Sequence, residues 1–319
     1  MNSDAKKQEL LTQIRNGCSP QRQVALAELE EFLDSDALDV LRDVIRDPDP
    51  AVRLLGIGLL EELGDEAALP DLIRALGDQV GSVQDAARSA LREFRGESAA
   101  KPLIAALSDS DARIRAGVAF ALREFKTSSA SEPLRKALKD SVPEVRREAI
   151  LSLAFLRDEG LVPDLLFHSQ SAFESDAQVR LLAVGALGFF LQPTFIDPLI
   201  AATTDQDWQV RREAVIVLGR SATTRAIPAV LSRLDDDFWQ VQKEAALSLG
   251  KLQAQEAIPR LTVALQSSVA DIRRAAATAV GAIAPANAVL ILTPLVDDPD
   301  SEVRKAVTHA LKTLRIVQG

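Results

Sequence analysis

Side chains able to do covalent or metal chemistry are scarce in this chain of 319 residues: two histidines, His168 and His309, one cysteine, Cys18, and no tyrosine. A single thiol cannot build an intramolecular disulfide framework, and without other ligands it cannot hold a metal or an iron–sulfur cluster. Cys18 falls between helices of a divergent first unit, either as a reactive thiol or as an incidental small residue. No Ser-His-Asp arrangement, phosphate-binding glycine loop or dinucleotide fingerprint occurs. Carboxylates are plentiful but spread along the chain. No catalytic residue, metal ligand or cofactor is therefore assigned from the residues themselves.

The bulk composition narrows the partners. A net charge of -9 argues against a nucleic-acid surface, because that affinity comes largely from Lys and Arg displacing counterions. The hydrophobic content of 47% is enough for a sizeable core. The opening stretch MNSDAKKQELLTQIRNG has no apolar signal core. No run of about 20 apolar residues is present to span a bilayer. A reducing, cytoplasmic setting without membrane insertion is the expectation.

What positions the side chains is a repeat. DQDWQVRREAVIVLG (205–219) returns as DDDFWQVQKEAALSLG (235–250). Anchored on the Val or Ile of this motif, copies fall at Val52, Val83, Ile114, Val145, Val179, Val210, Val241, Ile272 and Val303. Seven of the steps have the same length, that from Val52 to Val83, and the step from Val145 to Val179 is longer by three. A weaker copy, QRQVALAELEEFL, suggests a tenth anchor at Val24. Small or β-branched residues at +4, aliphatic ones at +8 and mostly apolar ones at +11 make one face of an α-helix. A proline at +18 or +19, from Pro70 to Pro259, suits the first turn of a second helix, where its missing N–H costs nothing. Two short antiparallel helices per period cannot bury their apolar faces alone, so neighbours must stack. Gly188, Gly219, Gly250 and Gly281, at +9 in four consecutive units, point to close helix approach or to a helix end.

Polar residues recur with the same period. An acid stands five before the anchor at Asp47, Asp78, Asp109, Asp140, Glu174, Asp205, Asp236 and Asp298. A base stands one after it at Arg53, Arg115, Arg146, Arg180, Arg211, Arg273 and Arg304, with Gln84 and Gln242 replacing it twice. The acid is placed to satisfy N–H groups of the turn before the helix. The arginine is placed to bridge to that turn or to the next unit's acid, making a ladder along the stack. Basic residues at +2 (Arg147, Arg212, Lys243, Arg274, Lys305) are either a solvated face or a stripe for an acidic partner.

The motif D-x-x-x-x-V-R-x-x-A-x-x-x-L-G followed by A-I-P-x-L-x-x-A-L resembles the short HEAT-like repeats also found in phycobilin lyases of the E/F type. The resemblance covers about residues 20 to 315. It implies an all-α fold, a right-handed α-solenoid of HEAT-like helix pairs with a period of about thirty-one. The expected organisation is one repeat domain over 1–319, with a divergent cap at 1–47 and a capping helix at 302–319. Deoxyhypusine hydroxylases are similar, but their iron is held by His-Glu pairs. Here Glu148, Glu213 and Glu244 follow Arg147, Arg212 and Lys243, and a cation cannot replace a neutral imidazole ligand. HEAT-like DNA glycosylases would need a basic groove with stacking aromatics, against the acidic balance of this chain.

Aromatic residues cluster. Seven of the eleven Phe and both Trp lie between residues 155 and 239. Position -2 is usually small or proline, yet Trp208 and Trp239 occupy it in adjacent units, with Phe238 beside the second. They either pack on the next helix or anchor an interface. The three-residue insertion falls near HSQSAFESDAQ (168–178) and carries Phe173, either an anchor or a plug over the local core. Phe189, Phe190 and Phe195 follow closely. The expected partner-binding residues are Phe173, Phe189, Phe195, Trp208, Phe238 and Trp239, together with a concave face on the proline-led helices. The expected function is a non-catalytic protein–protein interaction scaffold or assembly factor whose partner is another protein. The alternative is a phycobilin lyase or lyase subunit, with bilin as cofactor and a phycobiliprotein as partner.

Overall fold

An α-helix of three turns brings residues four and eight apart onto one side, and that side is where the chain buries its branched side chains. The computed structural model describes residues 3–318, apart from 126 and 191. Among the described residues there are helices and turns and no strand. The chain divides into two compact units, Met1–Leu161 and Val162–Gly319.

The first unit holds α1 (Ser3–Asn16), α2 (Ser19–Leu29), α3 (Leu38–Val44), α4 (Pro50–Leu63) and α5 (Leu69–Ala75). It continues with α6 (Gly81–Leu91), α7 (Gly96–Ala106), α8 (Ala112–Phe125), α9 (Ser131–Ala137) and α10 (Pro143–Leu156). The second holds α11 (Val162–His168), α12 (Ala177–Leu187), α13 (Ile196–Ala202), α14 (Trp208–Gly219) and α15 (Ile227–Ser232). It ends with α16 (Trp239–Lys251), α17 (Ile258–Ala264), α18 (Ala270–Ile283), α19 (Ala288–Leu292) and α20 (Ser301–Gln318). From α4 onward the even-numbered helices carry the anchors. Val52, Val145, Val210 and Val241 are fully buried, as are Leu60, Leu153, Leu218 and Leu249 eight residues on. Each such side chain contributes about 1.5–3 kcal/mol relative to exposure.

The odd-numbered helices are short, and most start after a 3-10 turn such as Glu66–Ala68, Thr224–Ala226 or Gln255–Ala257. Proline occupies the first turn of α5, α15 and α17. Pro102 differs: α7 begins at Gly96, so this proline lies inside the helix.

Consecutive even-numbered helices within a unit lie directly against each other, whereas consecutive short helices touch little. The glycines at +9 allow this. A Cβ on Gly250 would stand 2.9 Å from the Ala279 Cα, and one on Gly219 would stand 2.6 Å from the Ser248 Cβ. The Ser248 hydroxyl donates to the Val215 carbonyl at 3.0 Å, and Ser152 does the same to Ala119 at 2.6 Å. The more closely spaced layer is the inner one, so within each unit the concave face belongs to the even-numbered helices. This corrects the expectation that the proline-led helices form it.

Two further corrections concern helix ends. The left-handed residue that closes the long helices sits at +12: Gly64, Arg157, Ala222, Gln253 and Ala284, with φ between 50° and 63°. Four of these five are not glycine, so the glycines at +9 mark close approach and not termination. In the first unit, Val24 is 58% exposed and is no anchor. Gln21 holds that register, one full period before Val52, and Ala25 and Leu29 are buried in its +4 and +8 places.

Two outcomes test this packing. Gly250→Val should destabilise by about 1–3 kcal/mol, because the clash is with backbone. Ala222→Gly, at an exposed left-handed position, should stabilise by about 0.5–1 kcal/mol. Urea denaturation of both variants measures each.

Candidate functional site

The turns between short and long helices are cross-linked by arginine. In the second unit, Arg180 donates through Nε and Nη2 to Asp205 at 2.8 and 2.8 Å. Arg211 does so to Asp236 at 2.7 and 2.8 Å, and Arg273 to Asp298 at 2.8 and 2.8 Å. In the first unit Arg115 holds Asp140 in the same fork, at 2.6 and 2.9 Å. Arg53 reaches Asp78 at 2.8 Å, and Arg22, which the weaker first copy hid, reaches Asp47 at 2.8 Å. The remaining Nη1 turns back: Arg211 donates to the carbonyls of Asp205 and Gln206 at 2.8 and 3.0 Å. Arg146 and Arg304 likewise donate to the Asp140 and Asp298 carbonyls, at 2.7 and 2.6 Å. Each acid also accepts an N–H two residues on, as Asp236 does from Phe238 at 3.1 Å and Asp109 from Asp111 at 2.8 Å.

Charge follows geometry. Burial raises the Asp236 carboxyl, but the Arg211 hydrogen bond, the Phe238 N–H and the neighbouring guanidinium charges outweigh it, leaving the group below its ordinary range. Asp140 is lowered by the same balance. For Asp298 the Arg273 hydrogen bond is the largest cause of the lowering. Arg180 and Arg211 are raised, chiefly by their hydrogen bonds to Asp205 and Asp236.

The aromatic candidates separate into two edges and the core. Trp208, half-buried at the start of α14, stacks on Phe238 with ring centres 5.4 Å apart and planes 10° apart. The Arg211 guanidinium lies 5.7 Å from the Phe238 ring. Trp239 is 39% exposed, with the Lys243 ammonium 5.7 Å from its ring. Phe173, 57% exposed in the longer loop before α12, stacks on Phe167 at 4.9 Å. At the end of α11 the buried His168 Nδ1 lies 3.0 Å from Glu174 of that loop. These aromatics stand where the long helices begin. Phe189 is 70% exposed but follows the end of α12, so three turns of helix, roughly 16 Å, part it from that edge. Phe195, expected at the surface, is 2% exposed and belongs to the core. It ends the 3-10 turn Pro193–Phe195, directly before α13. Phe167 is exposed, as its register predicts: it stands where the other repeats carry Arg74, Lys136, Ser232 and Val263, all exposed. An aromatic at this position is therefore a signal that the sequence reading missed.

The inner face of each unit is mixed in charge. Arg212, Lys243, Arg274 and Lys305, the basic stripe, each have a carboxylate within 4.0 Å. Arg212 and Lys243 share one carboxylate, Glu244, while Arg274 and Lys305 pair with Asp271 and Glu302 on their own helices. In the first unit Phe120 lies under Arg92 and Arg123, at 5.9 and 5.0 Å, and Arg123 pairs with Glu148 at 3.0 Å. Burial is the largest influence on Glu148 and Glu213 and raises both carboxyls. Among the described residues no group of three or more His, Cys, Asp or Glu could hold a metal, and no helix is long and apolar enough to cross a membrane.

The sequence matches the profile of HEAT repeats over residues 8–92, 100–174, 167–240 and 227–312. The chain belongs to the HEAT-repeat family. Its fold is an all-α, right-handed α-solenoid of HEAT helix pairs. No curated protein matches the sequence. Among solved structures, an engineered protein is similar at 22% identity, covering 99% of both chains with a TM-score of 0.53. The Escherichia coli protein YibA is similar at 22% identity, covering 81% of this chain and 95% of that one, with a TM-score of 0.65. The karyopherin Kap121p, bound to the extreme C-terminus of the protein phosphatase Cdc14p, is similar at 15% identity and a TM-score of 0.70. This chain is covered over 98% and Kap121p over 42%. At these identities the likeness is one of HEAT fold.

Breaking a rung tests its weight. Arg211→Ala strips buried Asp236 of its forked partner, leaving it the Arg233 contact at 3.4 Å and the Phe238 N–H, and should cost about 3 kcal/mol, whereas Arg211→Met with Asp236→Leu should recover most of that loss in urea denaturation. Rung acids with lowered folded-state pKa stabilise above the unfolded carboxylate range, so the thermal midpoint should fall as pH drops below about 4. Glu213, whose folded-state pKa is raised, acts oppositely: Glu213→Gln should raise the midpoint at pH 7 and lose that advantage toward pH 4.

Proposed function

We propose that this HEAT-repeat chain is a non-catalytic scaffold or assembly factor that holds another protein. The observation carrying the reading is the set of exposed aromatics where the long helices of the second unit begin: Phe173, Phe238 and Trp239, 57%, 41% and 39% exposed. Rigid, amphipathic rings on a framework of buried ion pairs are the side chains that anchor protein interfaces, because they bury large area with little rotamer entropy. The bonded turns beneath them keep those rings in place before a partner arrives, which lowers the ordering cost of binding. The mixed charge of the inner face favours a protein over a polyanion as the partner.

Chemical cross-linking in the native cell, with the full chain as bait, tests the reading. A client enriched by the wild type should fall by about tenfold or more with Phe173→Ala and Trp239→Ala combined. Both side chains are exposed, so the variant should keep its unfolding midpoint. Equal capture by the folded variant would sink the assignment. A covalently attached, fluorescent bilin on a phycobiliprotein incubated with the chain would replace it with a lyase activity.

A further inference from the structure

One groove recurs where the turns of neighbouring repeats meet the ends of the short helices. In the first unit a groove of about 430 Å³ is lined by Arg53, Arg74 and Asp78. In the second a groove of about 370 Å³ is lined by Gln242, Val263 and Ser267. These residues correspond one for one, each pair separated by the same stretch of chain as the anchors Val52 and Val241. Three charges of the first groove are thus replaced by an amide, an isopropyl group and a hydroxyl in the second.

The exchange removes a rung. At the first site Arg53 spans the groove floor to Asp78 at 2.8 Å. At the second, Gln242 keeps only the inward half of the arginine's work and donates to the Asp236 carbonyl at 2.5 Å. Ser267 stands where the acid would be, and its hydroxyl accepts the Val269 N–H at 3.2 Å. The Gln242 and Ser267 pair is neutral, although the paired charges of Asp235 and Arg260 also line the groove, and Val263 on the rim is 67% exposed. Trp239 lies one helical turn before Gln242 on α16. Trp208 finds its stacking partner, Phe238, in the following repeat. The residue that stands to Trp239 as Phe238 stands to Trp208 is Val269, so no ring occupies that place.

We propose that the groove over the neutral pair Gln242 and Ser267, with Trp239 one turn away, is a docking site for a short extended segment of a partner protein carrying an apolar or aromatic side chain and no carboxylate. The inference rests on the scaffold reading and gives it a location and a ligand class. Charge selects the occupant. The lost rung takes away the cation that Arg53 supplies in the first groove; Arg260, which also lines the second, is held by Asp235, and Arg273, which donates to the Ser267 carbonyl at 2.9 Å, is gripped by Asp298, so no unpaired cation is left to receive an acid. Val263 supplies apolar rim for a side chain, and the Trp239 ring is open to a second ring or a proline. Gln242 and Ser267 are neutral groups suited to peptide amides.

The experiment is selection of phage-displayed dodecapeptides on the full chain, with enriched peptides then measured by fluorescence anisotropy. Enriched sequences should carry an aromatic or branched residue and few acids. Gln242→Arg with Ser267→Asp rebuilds the rung, and should weaken binding about tenfold or more without lowering the unfolding midpoint. Val263→Glu, at an exposed rim position, should weaken it as well, so the result does not depend on the double variant folding. Trp239→Ala should lose several-fold. Undiminished affinity in Val263→Glu and in the folded rung-restored variant would overturn the groove while leaving the scaffold reading standing. Enrichment of acidic peptides, or of none, would overturn it too. The scaffold reading is decided separately, by the cross-linking and bilin-attachment outcomes.

Discussion

The guanidinium of the arginine that follows most anchors is the constraint on which the register of the stack depends. It faces two ways. One arm binds carbonyls of its own turn, and the other two grip the carboxylate of the next turn, as Arg211 does between Asp205 and Asp236. Burying an ion pair is weakly favourable at best, since desolvation offsets most of the attraction. What the rung fixes is register. Anchor, +4 and +8 side chains are similar in every repeat, so a sliding helix would still find an apolar surface. A guanidinium that must meet one particular carboxylate in the following turn does not tolerate a slip. The free energy of association comes from the apolar contacts, and the rung selects which of them form.

The same logic explains why the long helices carry glycine, alanine and serine toward each other. A bidentate bridge between successive turns sets how far apart neighbouring repeats can sit at one end. The helices that grow from those turns must then pack at that spacing along their whole length. Gly250 against Ala279 and Gly281 against Ala310 leave no room for a Cβ. The short helices, which touch one another little, need no such economy and keep leucine and isoleucine. Different spacing in the two layers is what curves each unit. Because contacts run between neighbours in sequence, stability is close to a sum over repeats and their interfaces.

Much of this is legible in the chain without coordinates, because it is periodic. A side chain that returns once in every repeat reveals its role by recurrence, and the helix pairs, the rung positions and the close-approach glycines all do so. What recurs in conformation but not in residue type is invisible. The left-handed residue at +12 is Gly64 once and Arg157, Ala222, Gln253 and Ala284 elsewhere, so no glycine signal marks it. Val24 imitates an anchor in composition, yet the register is held by Gln21, a polar residue no apolar pattern would select. The aromatic candidates show the limit from the other side. Phe189 and Phe195 are close in sequence, one 70% exposed and one 2%, because a 3-10 turn intervenes. Burial of a single residue next to a turn depends on local backbone geometry that spacing does not encode.

Function in such a molecule is written as departures from the repeat. A position that obeys the period is explained by stacking, whatever its chemistry; a position that breaks it has been released from that duty. Trp208 looks like a departure but is largely absorbed by construction, since it stacks on Phe238 in the following repeat. Trp239 repeats the substitution one unit later without a ring to receive it. Gln242 and Ser267 depart together, on opposite sides of one interface. Loss of either charge alone would leave its partner stranded near the groove floor, whereas loss of both leaves a neutral surface at little cost in stability. That interface keeps its close helix contact through Gly250 and Ala279. The stacking is therefore secured by packing at the one place in the second unit where the described side chains form no charged rung, and the groove there is free to serve something other than the fold.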